Sequence, residues 1–170
     1  MDLYYDEVNT PIGPLLVVSD GEHILRIDYG SMEEREVDLQ NWAKRYIGQV
    51  TLVKNAERVS EVQRQLQAYF SHERNEFSIP FRFHGTPFQK KVWNALYELI
   101  PFGKTVSYKE IATAIGQPKA VRAVGGAVNK NPFSVIVPCH RVVGANGKMV
   151  GYNGGLDKKE YLLNHESIIL

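Results

Sequence analysis

The residues most able to do chemistry lie in the run Val135-Ile136-Val137-Pro138-Cys139-His140-Arg141-Val142, where an apolar segment ends at a proline and a thiol, an imidazole and a guanidinium follow. Cys139 is the only cysteine among 170 residues, so it forms no internal disulfide and is not half of a CxxC redox or zinc pair. Two readings are open. Free cysteine is among the most buried residue types and often serves as a small hydrophobe. A cationic neighbourhood instead favours the thiolate, the form that attacks electrophiles. Neighbouring side chains on an extended segment point to opposite faces. His140 would then not hydrogen-bond Cys139 directly, unless the strand ends after the proline or a water bridges the two. Glu166 or another carboxylate could orient the imidazole, as in triad chemistry.

Other chemistries find less support. The five histidines, at 23, 72, 84, 140 and 165, show no short ligand spacing, and with one cysteine no metal site is expected. Gly151, Gly154 and Gly155 do not have the spacing of a dinucleotide fingerprint, and there is no Walker-type loop, so no ATP or NAD is expected. A cysteine hydrolase stays open, although the local signatures of cysteine proteases are absent.

The elements that must position these residues can be read from periodicity and caps. Leu15-Leu16-Val17-Val18 and His23-Ile24-Leu25-Arg26-Ile27 flank Asp20-Gly21, a hairpin signal. Residues 34–47 change to helical period, with Leu39, Trp42, Ala43, Tyr46 and Ile47 on one face and Gly48 as the stop. A second helix is expected over 57–71, striped by Val59, Val62, Leu66, Tyr69 and Phe70. Residues 77–83 read as extended and lead to His84-Gly85, a boundary between an N-terminal α/β domain (1–84), taken as structural, and a C-terminal domain (85–170).

The second domain opens with Thr86-Pro87-Phe88-Gln89, a capping box with proline at the first helical position. Its apolar face runs through Phe88, Val92, Leu96 and Leu99. Ser107-Tyr108-Lys109-Glu110 is another capping box, and that helix should end near Gly116. A helix starting at Pro118 and running through Arg122 to about Asn129 would complete a helix-turn-helix. Gly125-Gly126 in its interior costs about 1 kcal/mol per glycine relative to alanine, so small residues there suit close approach, to another helix or to a nucleic-acid backbone. Asn146-Gly147 marks a turn, and residues 156–166 form a terminal helix. The fold class is thus α+β: a small N-terminal sheet with helices, then a mostly helical domain that carries a helix-turn-helix and the cysteine.

Charge is divided unevenly behind a net +1: residues 1–84 carry 9 Lys/Arg against 14 Asp/Glu, and residues 85–170 carry 11 against 5. A basic C-terminal half suits a polyanion. No apolar run approaches the roughly 18 residues of a membrane span. The acidic start lacks the pattern of a signal peptide, and a lone thiol suggests a reducing, cytoplasmic setting.

Pro138-Cys139-His140-Arg141-Val142 resembles the active-site motif of the O6-alkylguanine-DNA alkyltransferases. The likeness extends from Thr86 to Glu166 through Phe88-Gln89, Val92-Trp93, Val106-Ser107-Tyr108, Pro118-Lys119-Ala120, Arg122 to Ala127, Asn131-Pro132 and Gly154-Gly155-Leu156. The resemblance implies a suicide enzyme of DNA repair. It would move the alkyl group of O6-alkylguanine, and of O4-alkylthymine, in double-stranded DNA onto Cys139 after flipping the base. It implies that His140, through a water and oriented by Glu166, deprotonates the thiol, and that Tyr108 contacts the base and eases guanine's departure. Arg122 would fill the gap in the duplex, with Lys119, Ala120, Gly125 and Ala127 at the minor groove. Asn131 would hold the turn before the cysteine, and Val142, Tyr152 and Asn153 would line the pocket. No cofactor is implied, no membrane contact is expected, and a monomer is the default. The zinc cysteines that some members carry are missing from residues 1–84. A sequence-specific helix-turn-helix regulator with an incidental cysteine is the competing reading.

Overall fold

In the computed structural model, which describes residues 1–168, the chain divides between His84 and Gly85 into two units, and the fold is mixed α+β. The first unit starts as a meander of β1 (Asp2–Thr10), β2 (Gly13–Ser19) and β3 (Ile24–Tyr29), paired antiparallel. Asp20 closes the second hairpin by accepting from the Glu22 and His23 amides on its side chain, while Gly21 takes φ +101°, a conformation open to glycine. Helix α1 (Met32–Tyr46) is started by a capping box between Ser31 and Glu34. It is stopped at Gly48, at φ +127°, whose amide donates to Ala43 at 2.8 Å.

Strand β4 (Thr51–Lys54) then pairs parallel with β1, giving the order β3-β2-β1-β4. The sequence did not announce β4, because its four residues show no apolar alternation. Leu16 and Val18 of β2 share a buried cluster with Leu3, Leu25, Leu39, Ala43 and Val50. Leu15 and Val17 alternate with them and are equally buried, so the central strand is covered on both faces. A 3-10 turn (Glu57–Val59) leads into α2 (Ser60–Phe70), whose buried stripe holds Val62, Leu66 and Tyr69 and also Gln65. The Gln65 amide oxygen accepts from the Ser78 backbone N–H at 2.9 Å, which fixes the returning extended segment.

The second unit opens on α3 (Pro87–Leu99), with the Thr86–Gln89 capping box and proline at its start. Gly85 is required there: a Cβ on it would lie 2.6 Å from the Trp93 ring. Trp93 is buried and donates its indole N–H to Ala127 O at 2.8 Å. Leu99, expected on the inner face, is exposed; the burial stripe has shifted to Val92, Trp93, Ala95 and Leu96, because the large indole takes the inward position. Strand β5 (Val106–Ser107) precedes α4 (Tyr108–Ala114), capped by Ser107 and Glu110. Helix α5 (Val121–Asn129) begins three residues later than expected. Pro118 instead occupies a turn closed by the Ala120 amide on Gln117 O at 2.9 Å, a position proline's fixed φ also suits. A second 3-10 turn (Cys139–Arg141), β6 (Val142–Val143) and α6 (Leu156–His165) complete the unit.

Helix α5 turns Val124, Ala127 and Val128 inward and packs on α3 and α4. Its two glycines are not demanded by that packing. A Cβ on Gly126 would meet nothing within 4 Å, and one on Gly125 would only touch the Tyr108 ring at 3.9 Å. Gly126→Ala is therefore expected to stabilise the protein by up to about 1 kcal/mol, read as a higher midpoint in urea unfolding.

Candidate active site

The apolar run before Cys139 does not continue as a strand. Residues 133–139 turn tightly: the Ile136 amide donates to Ser134 O, Val137 to Phe133 O, and Cys139 to Val137 O. Val135 is held at φ +72°, a strained conformation for a β-branched residue that persists only where its surroundings over-determine it. Asn131 supplies that constraint. Its side chain donates to Phe133 O at 3.1 Å and Val137 O at 2.9 Å, and accepts from the Phe133 amide at 3.0 Å. Cys139 then starts a 3-10 turn and is 5% exposed.

Cys139, His140 and Arg141 are all buried, as is Glu166 at the end of α6. His140 Nε2 lies 2.7 Å from Glu166 Oε2. Arg141 grips the same carboxylate with Nε on Oε1 at 2.7 Å and Nη2 on Oε2 at 3.0 Å, and donates Nη1 to Ile100 O at 2.7 Å. Burial works against the Glu166 charge. The hydrogen bonds of His140 and Arg141, with the Arg141 charge, outweigh it and hold this carboxyl well below the usual carboxylate range. Because an ionised carboxylate only accepts, His140 must donate from Nε2. Burial above all, with the charges of Arg141 and Lys159, lowers the His140 pKa against the pull of Glu166. The imidazole is therefore neutral, with its lone pair on Nδ1, which meets no hydrogen-bond partner among the described residues.

The thiol differs from the expectation that cationic neighbours would ionise it. Burial pushes its pKa above the ordinary 9.0, and the influence of Asn131, Tyr152 and Lys159 does not overcome this. The reason is plain in the geometry: the Arg141 charge is already spent on Glu166, and His140 is neutral. Cys139 rests as a thiol and needs a base. The unclaimed Nδ1 of His140 is the group suited to that task.

Tyr108 comes close through the short parallel ladder that pairs Val106 with Val142 and Ser107 with Val143. Burial first, then the charge of Cys139, raises the Tyr108 pKa, so its hydroxyl stays a hydrogen-bond donor. Val142 is buried, Tyr152 half-buried and Asn153 exposed. On α5 and the turn before it, Lys119, Val121, Arg122, Ala123 and Gly126 are exposed and Ala120 is half-buried. Ala127, expected on an outer contact face, lies instead on the buried stripe at 4% exposure, because positions 124, 127 and 128 share one face of the helix.

Two residues escaped the sequence reading. Arg141 was visible only as a neighbouring charge, although it ties the carboxylate to the end of α3. Lys159 is fully buried on α6 and donates to Val142 O at 2.6 Å and Val150 O at 3.2 Å. Among the described residues no three His, Cys, Asp or Glu side chains group as a metal site, and no helix is long and apolar enough to cross a membrane.

Comparison with known proteins adds an independent line. Residues 87–168 match the family model described as 6-O-methylguanine DNA methyltransferase, DNA binding domain, and residues 3–83 match its ribonuclease-like domain. The chain is 46% identical over 164 residues to the methylated-DNA–protein-cysteine methyltransferase of Methanosarcina acetivorans, covering 96% of this chain and 98% of that protein. It is 44% identical over 166 residues to the constitutive enzyme of that name from Bacillus subtilis, covering 97% and 96%. Among solved structures, Mycobacterium tuberculosis OGT in complex with DNA superposes with a TM-score of 0.81 at 38% identity, covering 98% of this chain and 92% of that one.

The buried network makes stability pH-dependent in a defined direction. Glu166 has its pKa depressed below 4.5, so its contribution is present above that value and is lost as pH falls towards the folded pKa. His140 is depressed below 6.5, so the unfolded chain takes up its proton first as pH drops below that value. Both effects weaken the fold in acid. Urea midpoints should fall steadily from pH 7 to pH 3. Glu166→Gln should cost about 3–5 kcal/mol at pH 7, as expected when one partner of a buried ion pair is removed, and should flatten the decline below pH 4.5.

Proposed function

The chain belongs to the 6-O-methylguanine DNA methyltransferase family, and from that premise and the geometry of the pocket we infer that it repairs DNA by moving an alkyl group irreversibly from a damaged base to Cys139. The carrying observation is a buried thiol in the same 3-10 turn as a neutral imidazole, whose donor side is occupied by Glu166 and whose acceptor side meets no hydrogen-bond partner among the described residues. The substrate is O6-alkylguanine in double-stranded DNA, with O4-alkylthymine as a chemically similar second substrate. The protein acts as a monomer inside the cell, where the thiol stays reduced.

The step is a displacement at the alkyl carbon. His140 Nδ1 accepts the Cys139 proton through a water, and the sulfur lone pair forms the S–C bond. The C–O6 bond breaks, and its electron pair stays on the guanine. A proton is delivered to the guanine ring in return, so guanine leaves neutral and His140 is restored. The Tyr108 hydroxyl, kept protonated, donates towards the charge that develops on the leaving base. The thioether product has no ready leaving step, so each molecule acts once. The reaction balances without a cofactor.

A buried thiol reaches such a base only if the nucleotide is extruded from the stack. Arg122 is the one charged side chain of α5 and is exposed beside Ala123 and Gly126, and it takes the emptied place in the duplex from the minor groove. Lys119, Ala120, Gly125 and Gly126 then lie at the backbone and groove, with Asn131 holding the turn and Val142, Tyr152 and Asn153 around the base. The stabilising Gly126→Ala change should accordingly weaken duplex affinity, since the added methyl meets DNA and not protein.

Mass spectrometry after incubation with a duplex holding one O6-methylguanine should show one added methyl, on Cys139. An unmodified Cys139, or many methyl groups removed per protein molecule, contradicts the proposal. Arg122→Ala should slow transfer from the duplex by about tenfold or more while leaving transfer from a free O6-alkylguanine base nearly unchanged, the tenfold figure being the rate equivalent of about 1.4 kcal/mol. Equal loss on both substrates would remove the gap-filling role.

A further inference from the structure

Lys159 has no part in the chemistry described above, yet its ammonium is wholly buried. Two backbone carbonyls hold it, Val142 O at 2.6 Å and Val150 O at 3.2 Å, and among the described residues no carboxylate pairs with it. A lysine buried without an anion is costly, and burial lowers its pKa accordingly. The positions of its two acceptors are informative. Val142 directly follows the 3-10 turn that carries the thiol, and Val150 lies two residues before Tyr152. One side chain therefore spans the base of the loop between them. The pocket's other titratable groups are accounted for: Glu166 is committed to Arg141 and His140, His140 is neutral, and Tyr108 keeps its proton. Cys139 stands three residues before Val142, whose carbonyl Lys159 holds at 2.6 Å, and the charge of each shifts the other's titration.

We propose, on the alkyl-transfer reading above, that Lys159 is a positioning residue: it pins the loop that carries Tyr152 to the strand leaving Cys139, and it is the fixed cation against which the sulfur carries negative charge as the alkyl group arrives. Lys159 neither gains nor loses a proton in the step. Once the thioether has formed, Cys139 can no longer supply a counter-charge to this cation.

The test compares the unmodified protein with Lys159→Met, which keeps the length of the apolar stem, and Lys159→Arg, which keeps the charge. The probe is iodoacetamide, followed from pH 6 to pH 10 by the mass of the Cys139 adduct. Lys159→Met should react at least tenfold more slowly at pH 7, with its rate profile displaced to higher pH. Lys159→Arg should recover part of that rate. An identical profile for folded Lys159→Met overturns the proposal. Should Lys159→Met fail to fold, the Lys159 side-chain carbon signal of the unmodified protein is read by NMR. It should shift as Cys139 titrates and lose that shift once Cys139 is alkylated; indifference to both overturns the proposal. Iodoacetamide is independent of DNA. Failure of the unmodified protein to take a methyl group from damaged duplex would strike only the functional reading.

Discussion

The second unit is organised around one buried carboxylate. Glu166 uses both oxygens: Oε1 takes Arg141 Nε, and Oε2 takes Arg141 Nη2 and His140 Nε2. Desolvating such a group would be prohibitive alone, and here the guanidinium neutralises it in a two-pronged geometry that a lysine could not reproduce. This neutralisation is what leaves His140 useful. A carboxylate with no second partner would draw a proton onto the imidazole and convert it to a cation that cannot accept another. Sharing the carboxylate with Arg141 keeps the ring neutral, fixes which nitrogen carries the proton, and turns the lone pair away from Glu166. The network that stabilises the unit therefore also sets the protonation state of the site.

The rest of the unit carries this constraint outward. Arg141 Nη1 on Ile100 O attaches the network to the end of α3, and Trp93 of α3 is hydrogen-bonded to Ala127 of α5. The β5–β6 ladder brings the first turn of α4, and so Tyr108, beside the strand that leaves the nucleophile. Asn131 holds the opposite side, where Val135 is kept in a conformation it would not adopt unaided. The helix that presents Arg122 and the turn that presents Cys139 are thus parts of one braced assembly. A change on the nucleophile, such as an alkyl group forced into this packing, should be felt at α5.

Much of this was legible in local sequence. The capping boxes at Thr86 and Ser107 could be read because a cap is settled within four residues, and the Asp20-Gly21 hairpin for the same reason. Cys139 and His140 were identifiable from their neighbours, and the family likeness named Glu166. What stayed hidden depended on distant partners. Lys158 and Lys159 look alike in a charged helix, and only carbonyls 9 and 17 residues away decide that Lys159 turns inward. Arg141 seemed a reason for an acidic thiol until Glu166 was found to absorb its charge. Ala127 turns inward with Val124 and Val128 on one face of α5, and the exposure of Leu99 reflects the place claimed by Trp93. Periodicity marks a helix face, but a large side chain can rotate that face by a residue.

The central claim is that a carboxylate shared with Arg141 leaves His140 as a neutral base aimed away from Glu166. Nitrogen-15 NMR of the His140 ring in the unmodified protein at pH 7 tests it most directly. A neutral imidazole is expected, protonated on Nε2 and unprotonated on Nδ1, that takes up a second proton only below pH 6.5, the ordinary histidine value. An imidazolium at pH 7, or a neutral ring protonated on Nδ1, would contradict the account.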